Sequence, residues 1–156
     1  PRMKTIVLNT EQINRIVTRI AYQVIEACPA DSEVIIIGIE PRGSWVAERI
    51  NSSLKEVGGI KSKMLAINPA ESFSNESFHN QVVLVVDDIV NSGATMMRVA
   101  GHVSLANPSR LMTACLVDRM HRRFPIQSDF TGLSLATTLM EHLSLQTGPA
   151  PLIHLE

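Results

Sequence analysis

Apolar residues along this chain fall into two patterns. Residues 33–39, 82–86 and 111–117 are short runs in which nearly every side chain is apolar and many are β-branched. A run that does not alternate apolar with polar reads as a strand buried on both faces. Between these runs the apolar positions recur every three or four residues, the period of a helix with one buried face. Ile13, Ile16, Val17, Ile20, Val24 and Ile25 form such a face, with Asn9 or Thr10 as the N-cap and Pro29 as the stop. A second helix is expected over residues 44–57, ended by Gly58-Gly59, and a third over residues 95–106, closed by Pro108. Met96, Met97, Val99, Ala100 and Val103 are the apolar set of the third. Residues 4–8, 61–67 and 141–146 are weaker strand candidates. Residues 68–81 read as a polar loop and 118–135 as irregular and charged. Buried strands alternating with helices predict one α/β domain over residues 1–156, a mostly parallel sheet with helices on both faces.

Composition narrows the function classes. The 156 residues are 45% hydrophobic and 19% charged with a net charge of -1, the balance of a soluble globule with one core. No global basic excess points to nucleic acid. No apolar run approaches the length of a membrane span, and no charged start leads into an apolar leader. Cys28 and Cys115 stand in apolar surroundings and are expected to be reduced and buried, which suits a cytoplasmic protein. Pro1-Arg2, before Met3, and Leu155-Glu156 read as remnants foreign to the native chain.

Ligands of open parallel sheets sit beyond the carboxyl ends of the strands. Two such ends carry polar, glycine-containing sequence. Glu40-Pro41-Arg42-Gly43 follows one buried run. Asp87-Asp88, then Asn91-Ser92-Gly93-Ala94-Thr95, follow another and lead into the third helix. A helix start offers unpaired N–H groups and a positive dipole end, Gly93 permits close backbone approach, and Ser92 and Thr95 add hydroxyls. This is a phosphate cradle. Two carboxylates beside it would repel a bare phosphate. They suit a ligand that also carries hydroxyls or a Mg²⁺ nearby, as a ribose 5-phosphate does. The same residues also fit an ordinary turn in which Asp87-Asp88 only caps the next turn. The histidines show no metal-ligand spacing with each other or with the cysteines.

The segment Val83-Leu84-Val85-Val86-Asp87-Asp88-Ile89-Val90-Asn91-Ser92-Gly93-Ala94-Thr95 resembles the phosphoribosyl pyrophosphate (PRPP) motif of the type I phosphoribosyltransferases. Within that superfamily the chain looks most like the pyrimidine operon regulatory proteins (PyrR), which double as uracil phosphoribosyltransferases. Ile37-Gly38-Ile39-Glu40-Pro41-Arg42-Gly43 is similar to their pyrophosphate loop, and Leu116-Val117-Asp118-Arg119-Met120-His121-Arg122-Arg123 to their hood segment. The resemblance implies a type I phosphoribosyltransferase fold with a small C-terminal hood, acting on PRPP and a nucleobase, uracil to UMP in the first instance. It assigns Asp87, Asp88 and Arg42 to catalysis and Asp87, Asp88 and Asn91 to Thr95 to ribose 5-phosphate. Glu40, Pro41, Arg42 and Gly43 go to pyrophosphate, and Asp118 and Arg119 to the base. Mg²⁺ is implied as cofactor, reaching Asp87 and Asp88 through water. A homodimer or tetramer is implied as well. Purine-specific relatives commonly carry an acid where this chain has Asn91, which tilts the reading to a pyrimidine.

Two departures from the family pattern set further expectations. The loop at 68–81 is short and has no Lys or Arg, so a cationic lid is missing and His79 is the single candidate cation in it. The implied RNA surface keeps Thr18 and Arg122 but has Tyr22, Gln127 and Leu133 where relatives are basic. RNA binding is therefore disfavoured, and a nucleotide sensor that has lost catalysis stands as the alternative to an enzyme.

Overall fold

The computed structural model describes residues 5–136 and 141–155. In chain order the elements are β1 (Thr5–Leu8), α1 (Thr10–Ala27), β2 (Glu33–Ile39), α2 (Arg42–Val57), β3 (Lys61–Ile67), β4 (Val82–Val90), α3 (Ala94–Ser104), β5 (Arg110–Asp118), β6 (Phe130–Ser134), β7 (Leu143–Gln146) and β8 (Leu152–Leu155), with a single 3₁₀ turn at Glu76–Phe78 before β4. Five strands form a wholly parallel sheet in the order β3-β2-β4-β5-β6. The order decides where a ligand goes. The chain steps outward from β2 to β3, then returns across the sheet to β4 and proceeds the other way. The topological switch point therefore lies between β2 and β4, whose carboxyl ends carry the two loops singled out above.

Each face of the sheet is covered by the helices the apolar periodicity marks. Ile13, Ile16, Val17 and Ile20 of α1 and Val46, Ala47, Ile50 and Leu54 of α2 pack with Val34, Ile36, Leu84 and Val86. Met96, Val99 and Val103 of α3 pack on Ile35, Ile37, Val83 and Val85 on the other face. The strands read as unbroken apolar runs because both faces are buried: Val83 to Val86 are fully inaccessible. Among the described residues no helix is long and apolar enough to cross a membrane.

Several sequence expectations are corrected here. β4 continues through both aspartates to Val90 instead of ending at Val86. α2 begins at Arg42, so half of the supposed tight loop is the first turn of a helix. β6 lies inside the stretch read as irregular; it is a half-buried edge strand containing Gly132, and its pattern is correspondingly weak. The small sheet, ordered β1-β8-β7 and antiparallel, draws its first strand from the N-terminal segment, so the hood is not built from the C-terminal part alone. Leu155, set aside as foreign, is the last residue of β8 and pairs with Thr5 and Leu143. Cys28 is only partly buried.

The choice between Asn9 and Thr10 as cap is resolved by geometry. The Asn9 side chain accepts from the Gln12 amide at 2.9 Å while the Gln12 side chain accepts from the Asn9 amide at 2.8 Å. Thr10 instead donates to the Pro151 carbonyl and ties α1 to the small sheet. Asn9→Ala is expected to remove about 1 kcal/mol of stability, roughly 3 °C in Tm, with ligand affinity unchanged. Thermal melting beside a ligand titration checks both halves.

The segment between β3 and β4 is packed down. Phe73 meets the His102 ring edge-on at 4.6 Å, the His102 ring nitrogen lies 2.7 Å from the Phe73 carbonyl, and Asn75 donates to the His102 carbonyl. Phe78 is buried and His79 hydrogen-bonds the Ala106 carbonyl at 3.0 Å. The segment thus runs along α3 and delivers His79 just ahead of the amino end of β4, opposite the carboxyl ends. His79 is not placed to serve as a cation over the switch point.

Candidate functional site

At the carboxyl ends of β2 and β4, two helix N-termini meet the paired carboxylates. Neither α2 nor α3 has a side-chain cap, whereas α1, elsewhere in the molecule, has a complete capping box. Uncapped N-termini leave backbone donors and positive dipole ends for an anion. The start of α2 lies against β4 because Gly43 has no side chain: a Cβ there would stand 2.7 Å from the Val86 carbonyl oxygen and 3.1 Å from Asp87 Oδ1.

Asp87 and Asp88 stand side by side near the carboxyl end of β4, which stays in one register with β5 from Val82 to Val90. The Asp88 amide donates to Asp87 Oδ1 at 2.8 Å. Burial, reinforced by the neighbouring Asp88 charge, pushes the Asp87 carboxyl up to about 8. The pair is a carboxyl–carboxylate couple awaiting a counter-charge or hydroxyl donors. Beside it in the ladder sits Cys115, opposite Asp87 in register. Burial pushes its thiol up to about 11, which leaves it protonated and a poor nucleophile.

Beyond the acids, Ile89 to Met96 and Asp87 line a cavity of about 90 Å³, the space of one phosphate-sized group. Gly93 is the left-handed hinge of the loop, with φ +85°. Ser92 Oγ accepts from the Ala94 amide at 3.2 Å. Met97 N–H turns back to the Gly93 carbonyl, while the amides of Thr95 and Met96 have no partner among the described residues. The loop expected from sequence is therefore present, with Asn91 exposed at its outer edge.

The pyrophosphate loop is narrower in chemistry than the resemblance implies. The Glu40 amide is committed to the Ile67 carbonyl at 2.9 Å, and its carboxylate repels anions. Pro41 has no N–H, and its peptide bond with Glu40 is cis. Only Arg42 and the Gly43 amide remain as donors. Arg42 Nε donates to the Leu145 carbonyl at 2.9 Å, a partner that only the folded hood reveals, and its terminal nitrogens have no hydrogen-bond partner among the described residues.

The two residues that the resemblance gives to the base lie at the end of β5 and just after it. The Asp118 carboxylate is buried and accepts from the Met120 amide at 2.7 Å and from both terminal nitrogens of Arg122, at 3.0 and 2.5 Å. Arg119 is buried and donates to the Glu141 carbonyl. Thr18 and Arg122 line separate cavities: Thr18 a 900 Å³ groove along α1, α2 and β3, Arg122 a 480 Å³ cavity in the hood. The larger groove contains neither loop, so size does not mark the site. Arg122 spends four donors inside the chain, on Asp118, Asn91 and Ile126, and is not a free cation for RNA.

The comparisons agree with this geometry. The sequence pattern of the phosphoribosyl transferase domain matches residues 4–144. The chain belongs to the phosphoribosyltransferase family. The bifunctional protein PyrR of Fusobacterium nucleatum is 30% identical over 157 aligned residues, covering 90% of this chain and 89% of that one. The PyrR of Streptococcus uberis is 32% identical over 146 residues, covering 86% and 84%. Among solved structures, the hypoxanthine phosphoribosyltransferase of Trypanosoma cruzi superposes with a TM-score of 0.71 at 17% identity, covering 84% of this chain and 81% of that one. Its complex with IMP gives 0.73 at 16% identity, covering 90% and 78%. These structures establish the shared fold, a phosphoribosyltransferase sheet with its hood.

Proposed function

We propose that this phosphoribosyltransferase transfers the ribose 5-phosphate of PRPP to a pyrimidine, uracil giving UMP. The observation that carries the reading is the Asp87–Asp88 couple set between two uncapped helix N-termini at the switch point. The α3 loop takes the 5-phosphate through backbone amides and the Ser92 and Thr95 hydroxyls. Asp87 and Asp88 accept from the ribose 2- and 3-hydroxyls and favour positive charge on the ring as the bond to pyrophosphate lengthens. The Gly43 amide and Arg42 receive the leaving pyrophosphate.

Mg²⁺ fits the residues present. Burial, and after it the neighbouring Asp88 charge, raises the Asp87 carboxyl, so the two acids would favour a nearby cation, and a hydrated Mg²⁺ brought in with pyrophosphate would be held at Asp87 and Asp88 through water. When bound, the ion neutralises charge on the pyrophosphate. The base is the finer part of the proposal. It rests on Asn91, which offers no acid to exchange a proton with a purine ring, and on the likeness to PyrR proteins. Self-association into a dimer or tetramer belongs to the same reading, and sedimentation velocity measures it.

A second reading is favoured by one specific feature. With residues 68–81 fastened along α3 and carrying no Lys or Arg, no cationic lid closes over the pyrophosphate. A nucleotide sensor with weak or absent turnover is consistent with that. UMP formation from Mg²⁺, PRPP and uracil separates the two. The enzyme reading expects UMP with the native protein and a loss of at least about tenfold in Asp88→Asn, where a charged acceptor becomes neutral. UMP binding without turnover of uracil or any other common base would establish the sensor instead.

A further inference from the structure

Two carbonyls of the phosphate loop, those of Asn91 and Ser92, are held from one side by the 122–124 segment. Arg122 Nη1 donates to the Asn91 carbonyl at 3.0 Å. The amides of Arg123 and Phe124 donate to the Ser92 carbonyl at 2.9 and 3.1 Å. The Arg122 side chain is three-quarters buried and reaches these positions because Asp118 grips both its terminal nitrogens, while its Nε donates to the Ile126 carbonyl. Gly93 is pressed against the same strap. A Cβ there would lie 2.7 Å from Ile126 Cγ2 and 3.3 Å from Arg122 Cδ.

In a trans peptide the carbonyl and the following N–H point in opposite directions. Turning the Asn91 and Ser92 carbonyls toward the strap therefore turns the Ser92 and Gly93 amides the other way, toward the 90 Å³ cavity. Two of the cradle's donors are aimed by the hood segment and not by the loop's own sequence. We propose that Arg122 is a positioning residue of the 5-phosphate loop: its side chain fixes the Asn91–Ser92 peptide plane so that the Ser92 amide faces the phosphate, and by anchoring the 122–126 segment it holds in place the Arg123 and Phe124 amides that set the Gly93 amide. This rests on the ribose 5-phosphate reading of Asp87–Thr95 and adds the device that preorganises it. An arginine is required, because the site uses one planar fork to hold a carboxylate and two carbonyls at once, which a single ammonium does not match.

The test is calorimetric titration of ribose 5-phosphate and of inorganic phosphate into native protein, Arg122→Lys and the paired variant Asp118→Asn, Arg122→Gln, each well below its melting temperature. The paired variant leaves no unpaired buried carboxylate and keeps the test open if Arg122→Lys folds poorly. The expected result is an affinity loss of about tenfold or more for both ligands in both variants, the worth of losing one or two loop hydrogen bonds. In turnover of Arg122→Lys, which leaves Asp118 in place, KM for PRPP should rise while KM for the base stays within twofold. A purely structural role would lower the melting temperature and leave these constants alone. Native-like affinity in either folded variant overturns the proposal, and failure of the native protein to bind ribose 5-phosphate removes both this inference and the reading beneath it.

Discussion

Asp87→Asn is expected to make the ligand-free protein more stable at alkaline pH and a much poorer binder at every pH. In the folded chain burial and the Asp88 charge raise the Asp87 carboxyl to about 8. The folded state therefore holds a proton that the unfolded chain releases at ordinary carboxyl pH. Stability from this group is full below about pH 4 and is lost as pH rises through about 8. Asparagine has nothing to ionise. Its Tm should match the native value near pH 4 and exceed it at pH 9 by about 6 °C, roughly 2 kcal/mol for a chain of this length after discounting for solvent screening. Ribose hydroxyls donate to the ionised couple, so native binding at pH 7 should release a proton, visible as a dependence of the calorimetric heat on buffer ionisation enthalpy. Asp87→Asn should lose that dependence along with about 2 kcal/mol of affinity, the cost of replacing a charged acceptor by a neutral one. Identical pH–stability curves for the two proteins would show that Asp87 is an ordinary exposed acid.

Gly43→Ala tests whether the start of α2 must touch β4. The added methyl meets main-chain atoms, the Val86 oxygen at 2.7 Å and the Asp87 Cα at 3.0 Å, and both belong to the central strand. Neither has a rotamer to change. The helix start must retreat by several tenths of an ångström, carrying the Gly43 amide and Arg42 away from the pyrophosphate position. Overpacking of this kind costs about 1–3 kcal/mol of stability. The larger effect should be on PRPP affinity, down about a hundredfold, since both remaining pyrophosphate donors move together. Inorganic phosphate, held at the α3 loop, should bind Gly43→Ala nearly as it binds the native chain. Equal PRPP affinity in the two would remove the pyrophosphate assignment from this loop.

The parts of the fold legible in the sequence are those fixed by burial on both faces. Glu33–Ile39 and Leu84–Val86 have one reading because no polar residue interrupts them, and α1 is read from Ile13, Ile16, Val17 and Ile20 before any contact is known. β6 escapes because it is a half-buried edge strand with Gly132 within it, and β8 because it is only four residues long and carries a buried His154 that breaks the apolar run. At the site the composition was readable and the pairing was not. Asp87 to Thr95 announced a phosphate loop with acids. That the Glu40 amide is taken by the Ile67 carbonyl depends on the pairing of β2 with β3, and that Asp118 is consumed by Arg122, four residues on, depends on how the segment between them turns back. Arg122 shows the limit clearly. As a residue type it advertises a phosphate-binding surface, yet its four bonds turn inward.

The account rests on the claim that Asp87 to Thr95 hold ribose 5-phosphate, and the most direct measurement is a calorimetric comparison of ribose 5-phosphate with ribose on the native protein. Ribose 5-phosphate should bind at least about a hundredfold more tightly, the charge-assisted bonds of several amides and two hydroxyls being absent for the free sugar. Equal affinities, or no detectable binding of ribose 5-phosphate at millimolar concentration, would contradict it.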